Sequence, residues 1–253
     1  MIHSIILINE NLVTSKVNIL KNKTPNILAI GAHPDDIELG CGGSLLKAAR
    51  NGANVFMYIV TRGSSAGSVV KRSNEIINSA KYIGAKSLWI DDYEDAAVYL
   101  TKELINSVEF FIRKTNADVI YTHPLKDNHH DHRAVAEATV EAGRFTPNIL
   151  AYENPSTKNF LPVVFSDISD VIHEKIKLIE LYGSQKSKLF LSSNSVKGLG
   201  EYRAFQTRLA PNLTHMEAFE AIKLMIDTEY ELLPTRRPLE DLKSSRDVIE
   251  FQM

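Results

Sequence analysis

Two short stretches of this 253-residue chain concentrate groups able to do chemistry: His33, Asp35 and Asp36 in AHPDDIELGCGG (32–43), and His129, Asp131 and His132 in HPLKDNHHDH (123–132). The first crowds an imidazole and two carboxylates into four residues at the end of an apolar run. Carboxylates this close raise each other's pKa unless a cation neutralises them, so a divalent metal is the economical partner. In the second stretch His129 and His132 stand three apart, which puts both on one side of a first helical turn or of the loop feeding it. If the two stretches meet, two histidines and one aspartate suffice for a catalytic zinc centre, which takes three protein ligands and leaves a position open for water. A single histidine at a strand end is more often a packing or hydrogen-bonding group, but two clusters in equivalent places make that reading less natural for the pair. Asp131 reads equally well as the N-cap of a helix beginning near His132.

The elements around these clusters alternate. NILAIGA (26–32), NVFMYIVT (54–61), SLWI (87–90) and DVIYTHP (118–124) are rich in β-branched and aromatic residues and predict strands. Helical patterns lie between them at 43–52, 71–85 and 101–116, and a further one follows at 131–145. Strand–helix–strand succession predicts right-handed crossovers and an α/β fold: a Rossmann-like, mostly parallel sheet with helices on both faces. Function in such sheets collects at the carboxyl ends of the strands, where both clusters fall. Pro34 disfavours helical geometry at His33 and keeps it extended there.

Two more strands are expected within 148–155 and 162–169. From about residue 171 the chain reads as helical, including HEKIKLIELYGSQKSK (173–188) and THMEAFEAIKLMIDTEYELL (214–233), the latter opened by a Thr214–Glu217 capping box. The tail from Pro234 is charged and poorly patterned. Without a repeat or a linker, one domain over 1–253 is expected, with a motif-bearing core at about 26–170 and a helical C-terminal part at about 171–253.

Composition excludes several classes. Hydrophobic residues make up 44% and the formal net charge is −2, with no basic stripe for nucleic acid. The start MIHSIILINENLV lacks the basic and small-residue features of a signal peptide, and no run approaches the roughly 18 to 20 apolar residues of a membrane span. The one cysteine, Cys41, rules out an internal disulfide and suits the cytoplasm. Flanked by glycines, it reads as a small residue at a close helix–strand contact.

On AHPDDIELGCGG and HHDH (129–132), supported by TRG (61–63) and RSNEIINSAKYIGA (72–85), the chain resembles the LmbE-like (PIG-L) family of metal-dependent de-N-acetylases over about residues 26–145. That family includes enzymes acting on N-acetylglucosaminyl phosphatidylinositol and on precursors of mycothiol and bacillithiol. Position by position, the resemblance implies metal ligands at His33, Asp36 and His132, a general base at Asp35 and a second catalytic histidine at His129. Asp131 matches a carboxylate accompanying the histidine pair, and Arg72 and Glu75 match a pair in the helix lining the substrate pocket. Many relatives read T-x-G-E where this chain has Thr61, Arg62, Gly63 and Ser64, which leaves the acceptor pocket open. Arg62 and Ser64, in a glycine-bearing loop, are placed to bind a phosphate or a sugar hydroxyl, or face solvent.

The implied reaction is removal of an N-acetyl group from an N-acetylated, water-soluble sugar. Zn2+ would activate water and polarise the carbonyl, with Asp35 taking the water's proton and a protonated His129 stabilising the oxyanion. Fe2+ suits two histidines and a carboxylate equally. Relatives often form homo-oligomers. His123 and His130 are expected behind the site or exposed, and His3, His173 and His215 have no cluster around them. Rival readings are a dinucleotide-binding protein, whose glycine fingerprint the HPDD turn displaces, and a metal-binding protein without catalysis.

Overall fold

The structure is a computed structural model that describes residues 24–225 and 248–253. The opening MIHSIILINENLV with His3, the distal part of the 214–233 pattern and most of the charged tail lie outside the described residues.

Strand β1 (Asn26–Gly31) leads into helix α1 (Asp36–Arg50), followed by β2 (Asn54–Thr61), α2 (Val69–Ile83), β3 (Ser87–Tyr93), α3 (Lys102–Thr115), β4 (Val119–Thr122), α4 (His130–Ala142) and β5 (Asn148–Tyr152). Strand β6 (Val164–Asp167), α5 (Ile172–Glu180), α6 (Ser193–Thr207), β7 (Met216–Lys223) and β8 (Ile249–Gln252) follow among the described residues. These strands form one sheet in the order β6-β7-β5-β4-β1-β2-β3-β8. Its centre, from β3 through β2, β1 and β4 to β5, is parallel, whereas β8 and β7 join antiparallel.

The β1 strand is apolar on both faces because both are covered. Ala29 joins a core with Ile37, Leu45, Ile59 and Ile76 from the side of α1 and α2, while Leu28 and Ile30 join Leu104, Phe111 and Val135 from α3 and α4. Strands β2 and β3 lie on one side of β1 and β4 on the other, so the strand order reverses between β1 and β4. Outside the carboxyl ends at such a reversal the loops splay apart and leave a crevice.

Two expectations give way here. The first helix begins at Asp36, seven residues before the expected 43, so Asp36 is helical and the glycines of GCGG lie inside the helix. Packing outweighs their poor helix propensity: a Cβ on Gly40 would sit 2.2 Å from Tyr152 Cδ2. Only glycine lets α1 lie against β5 there, and Cys41 is buried in the core that includes Tyr152.

The second correction concerns the C-terminal part. MEAFEAIK, whose residues favour helix, forms β7 between β5 and β6, so Thr214 and Glu217 form no capping box and residues 216–223 and 249–252 are strands. Ladder pairing on both edges and burial of Met216, Ala218 and Phe219 override local propensity. Glu217 instead reaches α1, accepting from the backbone N–H of Gly43 and Ser44 at 2.8 Å each and from Lys175 Nζ at 2.6 Å. The helix expected over 173–188 ends at Glu180, and the chain continues through short 3-10 turns at Gly183–Gln185 and Leu189–Leu191.

A buried acid on α1 makes stability depend on pH. Glu38 is fully enclosed; burial raises its pKa from the ordinary 4.5 to about 7, opposed by the hydroxyl of Ser79, which donates to it. Between these values the folded chain holds a proton that the unfolded chain has released, so stability falls as pH rises from 4.5 through 7. The total change is about 3 kcal/mol. Glu38→Gln removes this slope in urea titrations run from pH 5 to 8; an unchanged slope would refute the assignment.

Candidate metal centre and pocket

His33 and Asp36 leave the end of β1, and His129 and His132 open α4 just beyond β4. Because β1 and β4 are adjacent and parallel, both clusters arrive at the same edge. His33 Nδ1 lies 3.2 Å from Asp36 Oδ2 and 3.3 Å from His132 Nε2, and His132 Nε2 is 3.4 Å from Asp36 Oδ1. Three ligands at the corners of a tetrahedron, each about 2.0–2.1 Å from a zinc ion, must be about 3.3 Å apart. Each pairwise distance is close to that spacing, the two to Asp36 running to different carboxylate oxygens, and one donor from each of His33, Asp36 and His132 lies within 4.8 Å of the others, so the set suits an ion in kind. Charge points the same way. Asp35, Asp36, Asp95, Asp127 and Asp131 crowd round this point, answered among the described residues by buried Arg72 and by Lys188, whose Nζ is 4.0 Å from Asp35 Oδ2.

Each candidate ligand is braced from behind. His33 Nε2 contacts Asp131 Oδ2 at 3.0 Å and Asp95 Oδ1 at 3.2 Å. His132 Nδ1 lies 3.3 Å from Asp127 Oδ2 and 3.4 Å from Ser156 Oγ, and Asn154 Nδ2 donates to Asp36 Oδ1 at 3.2 Å. Burial alone would lower the pKa of His33, but hydrogen bonds to Asp131, Asp36 and Asp95 raise it well above the ordinary value. Burial would raise Asp36, whereas His132 and His123 hold it far below the carboxylate range. Asp127 is likewise held at about 2, against its burial, by His132 and the His129 N–H.

Asp131 is not an N-cap. His129 takes that position, its Nδ1 accepting from the Asp131 N–H at 3.3 Å. The Asp131 carboxylate is fully buried and turned to His33, and it also accepts from the backbone N–H of Ala96 at 2.9 Å and Val98 at 3.0 Å. It stands behind His33 and outside the pocket wall, and with His33 and His129 it makes a second group whose donors could hold an ion. Such carboxylates behind a ligating histidine fix its tautomer and typically account for 10–100-fold in metal affinity. Asp131→Asn is accordingly expected to weaken Zn2+ binding 10–100-fold in competition with a chromogenic chelator; unchanged affinity would show that His33 needs no such support.

The pocket itself has a volume of about 330 Å³ and is walled by His33, Asp35, Asp36, Arg72, Asp95, His129, His132, Lys188 and Phe190, among others. Asp35 adopts the left-handed backbone (φ 102°), which aspartate and asparagine accept more readily than other side chains that carry a Cβ. Arg72 Nη1 donates to Asp35 Oδ2 at 3.1 Å and Nη2 to the Pro34 carbonyl at 2.6 Å. Burial raises the Asp35 pKa; Arg72 opposes it and the adjacent Asp36 adds to it, leaving it above the usual aspartate value.

Burial, and after it the neighbouring His132 and His33, pushes the pKa of His129 below the ordinary value, against the protonated state expected of it. Its Nδ1 accepts from the backbone, which leaves Nε2 as the nitrogen free to face the pocket.

Other anticipated residues are placed as follows. Glu75 does not line the pocket; both carboxylate oxygens accept from Ser184, from N at 2.7 Å and from Oγ at 2.6 Å, pinning the turn that leads to Lys188. Arg62 is half-buried and stays out of the pocket wall, to which its loop contributes Ser65 and Ala66 instead. His123, expected behind the site or exposed, is fully buried, its Nε2 accepting from the Ala32 N–H at 3.0 Å, and stacks on His132 at 3.9 Å. His130 is partly exposed. Asp95, Asp127, Asn154, Ser156 and Lys188 escaped the sequence reading. Asp127 stood inside the quoted motif, and Asp95 and Asn154 follow β3 and β5 at the same carboxyl edge, a signal that was available.

Residues 28–143 match the family described as PIG-L: GlcNAc-PI de-N-acetylase. An Escherichia coli K12 protein described as the uncharacterized deacetylase YaiS is 38% identical over 157 residues, covering 59% of this chain and 85% of its own length. The diacetylchitobiose deacetylase of Thermococcus kodakarensis is 28% identical over 196 residues, 67% of this chain and 73% of its own. Among solved structures, the 4-carboxy-2-hydroxymuconate hydratase GalB of Pseudomonas putida KT2440 superposes with a TM-score of 0.71 at 19% identity, covering 82% of this chain and all of its own. At that identity the likeness speaks for the fold alone, and one fold carries more than one chemistry.

Proposed function

The chain belongs to the PIG-L (LmbE-like) family, and from that premise we propose that it is a metal-dependent hydrolase that removes the N-acetyl group from an N-acetylated sugar, giving acetate and a free amino sugar. The observation that carries this reading is the convergence of the His33, Asp36 and His132 donors at 3.2–3.4 Å with Asp35 beside them, bonded to Arg72 and turned into the same pocket. Sequence relatives described as deacetylases support amide hydrolysis over the hydratase chemistry of the structural neighbour.

His33, Asp36 and His132 would hold Zn2+ or Fe2+, which when bound supplies a nucleophilic water near neutral pH and polarises the amide carbonyl. Asp35, with its raised pKa, accepts the proton released as water adds to the carbonyl carbon. The His129 Nε2–H donates to the carbonyl oxygen as negative charge gathers on it. Protonated Asp35 then gives its proton to the departing nitrogen, the C–N bond breaks, and acetate remains. Arg72 fixes the Asp35 carboxylate and keeps it from turning away between the two transfers. Asp131 takes no part in these transfers and orients His33.

On this reading the enzyme acts on a soluble substrate in the cytoplasm, and a homo-oligomer is compatible with it. No described helix is long and apolar enough to cross a membrane. Incubating the metal-loaded protein with a panel of N-acetylated sugars and assaying acetate is the direct test. Release from at least one of them is expected. A panel without release, from protein shown to carry one ion, would sink the reading.

A further inference from the structure

The GCGG stretch leaves the candidate ligand Asp36 without a stiff support. Asp36 opens α1, and the turn that carries it, Asp36–Leu39, joins the rest of the helix through Gly40, Cys41, Gly42 and Gly43. A glycine in a helix interior costs roughly 0.5–1 kcal/mol relative to alanine, because its backbone has the most freedom to lose. With three glycines in four residues, this is the part of α1 least able to hold a direction by itself. The aim of the first turn must then be fixed from outside.

A buried ion pair stands where that could be done. Lys175 on α5 and Glu217 on β7 are 5% and 4% exposed, with Nζ 2.6 Å from Oε1. The Leu39 carbonyl and the Gly43 N–H are four residues apart, the spacing of one helical hydrogen bond. Lys175 donates to that carbonyl at 2.7 Å, and Glu217 Oε1 accepts from that N–H at 2.8 Å. Glu217 Oε2 accepts from the Ser44 N–H at 2.8 Å and from Ser44 Oγ at 2.5 Å. Side chains that enter the hydrogen-bond ladder of a helix are among the causes of bends in its axis. Glycine at 43 makes room for this pair, since a Cβ there would lie 3.1 Å from Glu217 Oε1 and 2.8 Å from Ile168 Cγ2. Leu39 passes the contact on: its N–H donates to the Asp35 carbonyl at 3.0 Å, and it lines the metal pocket.

We propose that Lys175 and Glu217 are positioning residues that set the aim of the first turn of α1, and with it the donor geometry of Asp36 at the candidate metal centre. This role rests on the reading of Asp36 as a metal ligand. A buried ion pair seldom adds stability over well-packed apolar side chains of similar volume. Replacing both partners together therefore removes the aim and spares the fold.

The test compares the wild type with the double variant Lys175→Met/Glu217→Leu and with Lys175→Arg, which keeps a donor for both the Leu39 carbonyl and Glu217. In ion-free protein, amide hydrogen exchange over residues 39–42 is expected to quicken at least tenfold in the double variant, while exchange over 45–50 stays as in the wild type. Co2+, a visible stand-in for zinc, is expected to bind the double variant 10–100-fold more weakly, the loss typical of groups that orient a metal ligand from behind. Its absorption band, intense only in a near-tetrahedral centre, weakens with it. Lys175→Arg matches the wild type in both readouts. Exchange raised equally along α1 marks a pair that only stabilises the fold and overturns the proposal, as does a double variant with the wild-type Co2+ affinity and band. If the wild type takes up no Co2+, the metal reading fails and the exchange pattern alone decides the role of the pair. Should the double variant not fold, Lys175→Met carries the same comparison, because Glu217 keeps its three donors on α1.

Discussion

Asp35→Asn lowers kcat for acetate release by about 10²–10⁴, the range that a positioned general base contributes, while the protein keeps its ion. Asparagine is the informative replacement. It tolerates the left-handed backbone at φ 102°, so the turn between β1 and α1 survives, whereas alanine would add backbone strain and leave Arg72 buried without its carboxylate. The amide still accepts from Arg72 but cannot take a proton from water.

The pH profile separates loss of a base from loss of geometry. In the wild type, kcat/KM falls on the acid side as Asp35 is protonated, and because burial raises its pKa that limb lies above the usual aspartate range. In Asp35→Asn the limb disappears from the residual activity. Turnover at the wild-type rate, or a residual rate with the same acid limb, would assign the base elsewhere.

His132→Ala has a wider effect, abolishing metal retention and turnover together. It leaves His33 and Asp36 as two donors where a stable centre needs three, and it removes the ring that stacks on both His123 at 3.9 Å and His129 at 4.6 Å. Metal analysis after gel filtration is expected to give close to one ion per wild-type chain and none for the variant. Stability provides a readout independent of activity. An ion present at a thousand times its dissociation constant adds about 4 kcal/mol, or roughly 10 °C in Tm for a chain of this size. Chelator should therefore lower the wild-type Tm by that order and leave His132→Ala unmoved. Equal chelator sensitivity in both would show that the ion sits somewhere else.

Much of this site was legible before any coordinates. HPDD and HHDH contain the candidate ligands and base, and short apolar runs rich in β-branched and aromatic residues predict β1 and β2 to within a residue and place β4 and β5 inside the expected stretches. Those signals are local: a strand buried on both faces must be apolar, and charge at its end must have a use. The side of the sheet on which function gathers follows from strand direction alone.

What the chain alone left open are facts of contact between distant segments. Nothing in MEAFEAIK announces a strand; it becomes one because β5 and β6 offer two unpaired edges, and its Glu217 then finds Lys175 and the N–H groups of α1. Asp131 and His129 exchange the capping role expected of Asp131 because the carboxylate is drawn to His33, ninety-eight residues away in sequence. Asp95, Asp127 and Asn154 acquire meaning only once parallel strands bring their ends to one edge, and the pKa of His129 is lowered by burial first and then by His132 and by His33, which comes from the other cluster. Residue type and spacing determined which atoms could react. Folding decided which of them meet, because burial and neighbouring charge, the quantities that set pKa and donor geometry, belong to the packed chain and not to any stretch of it.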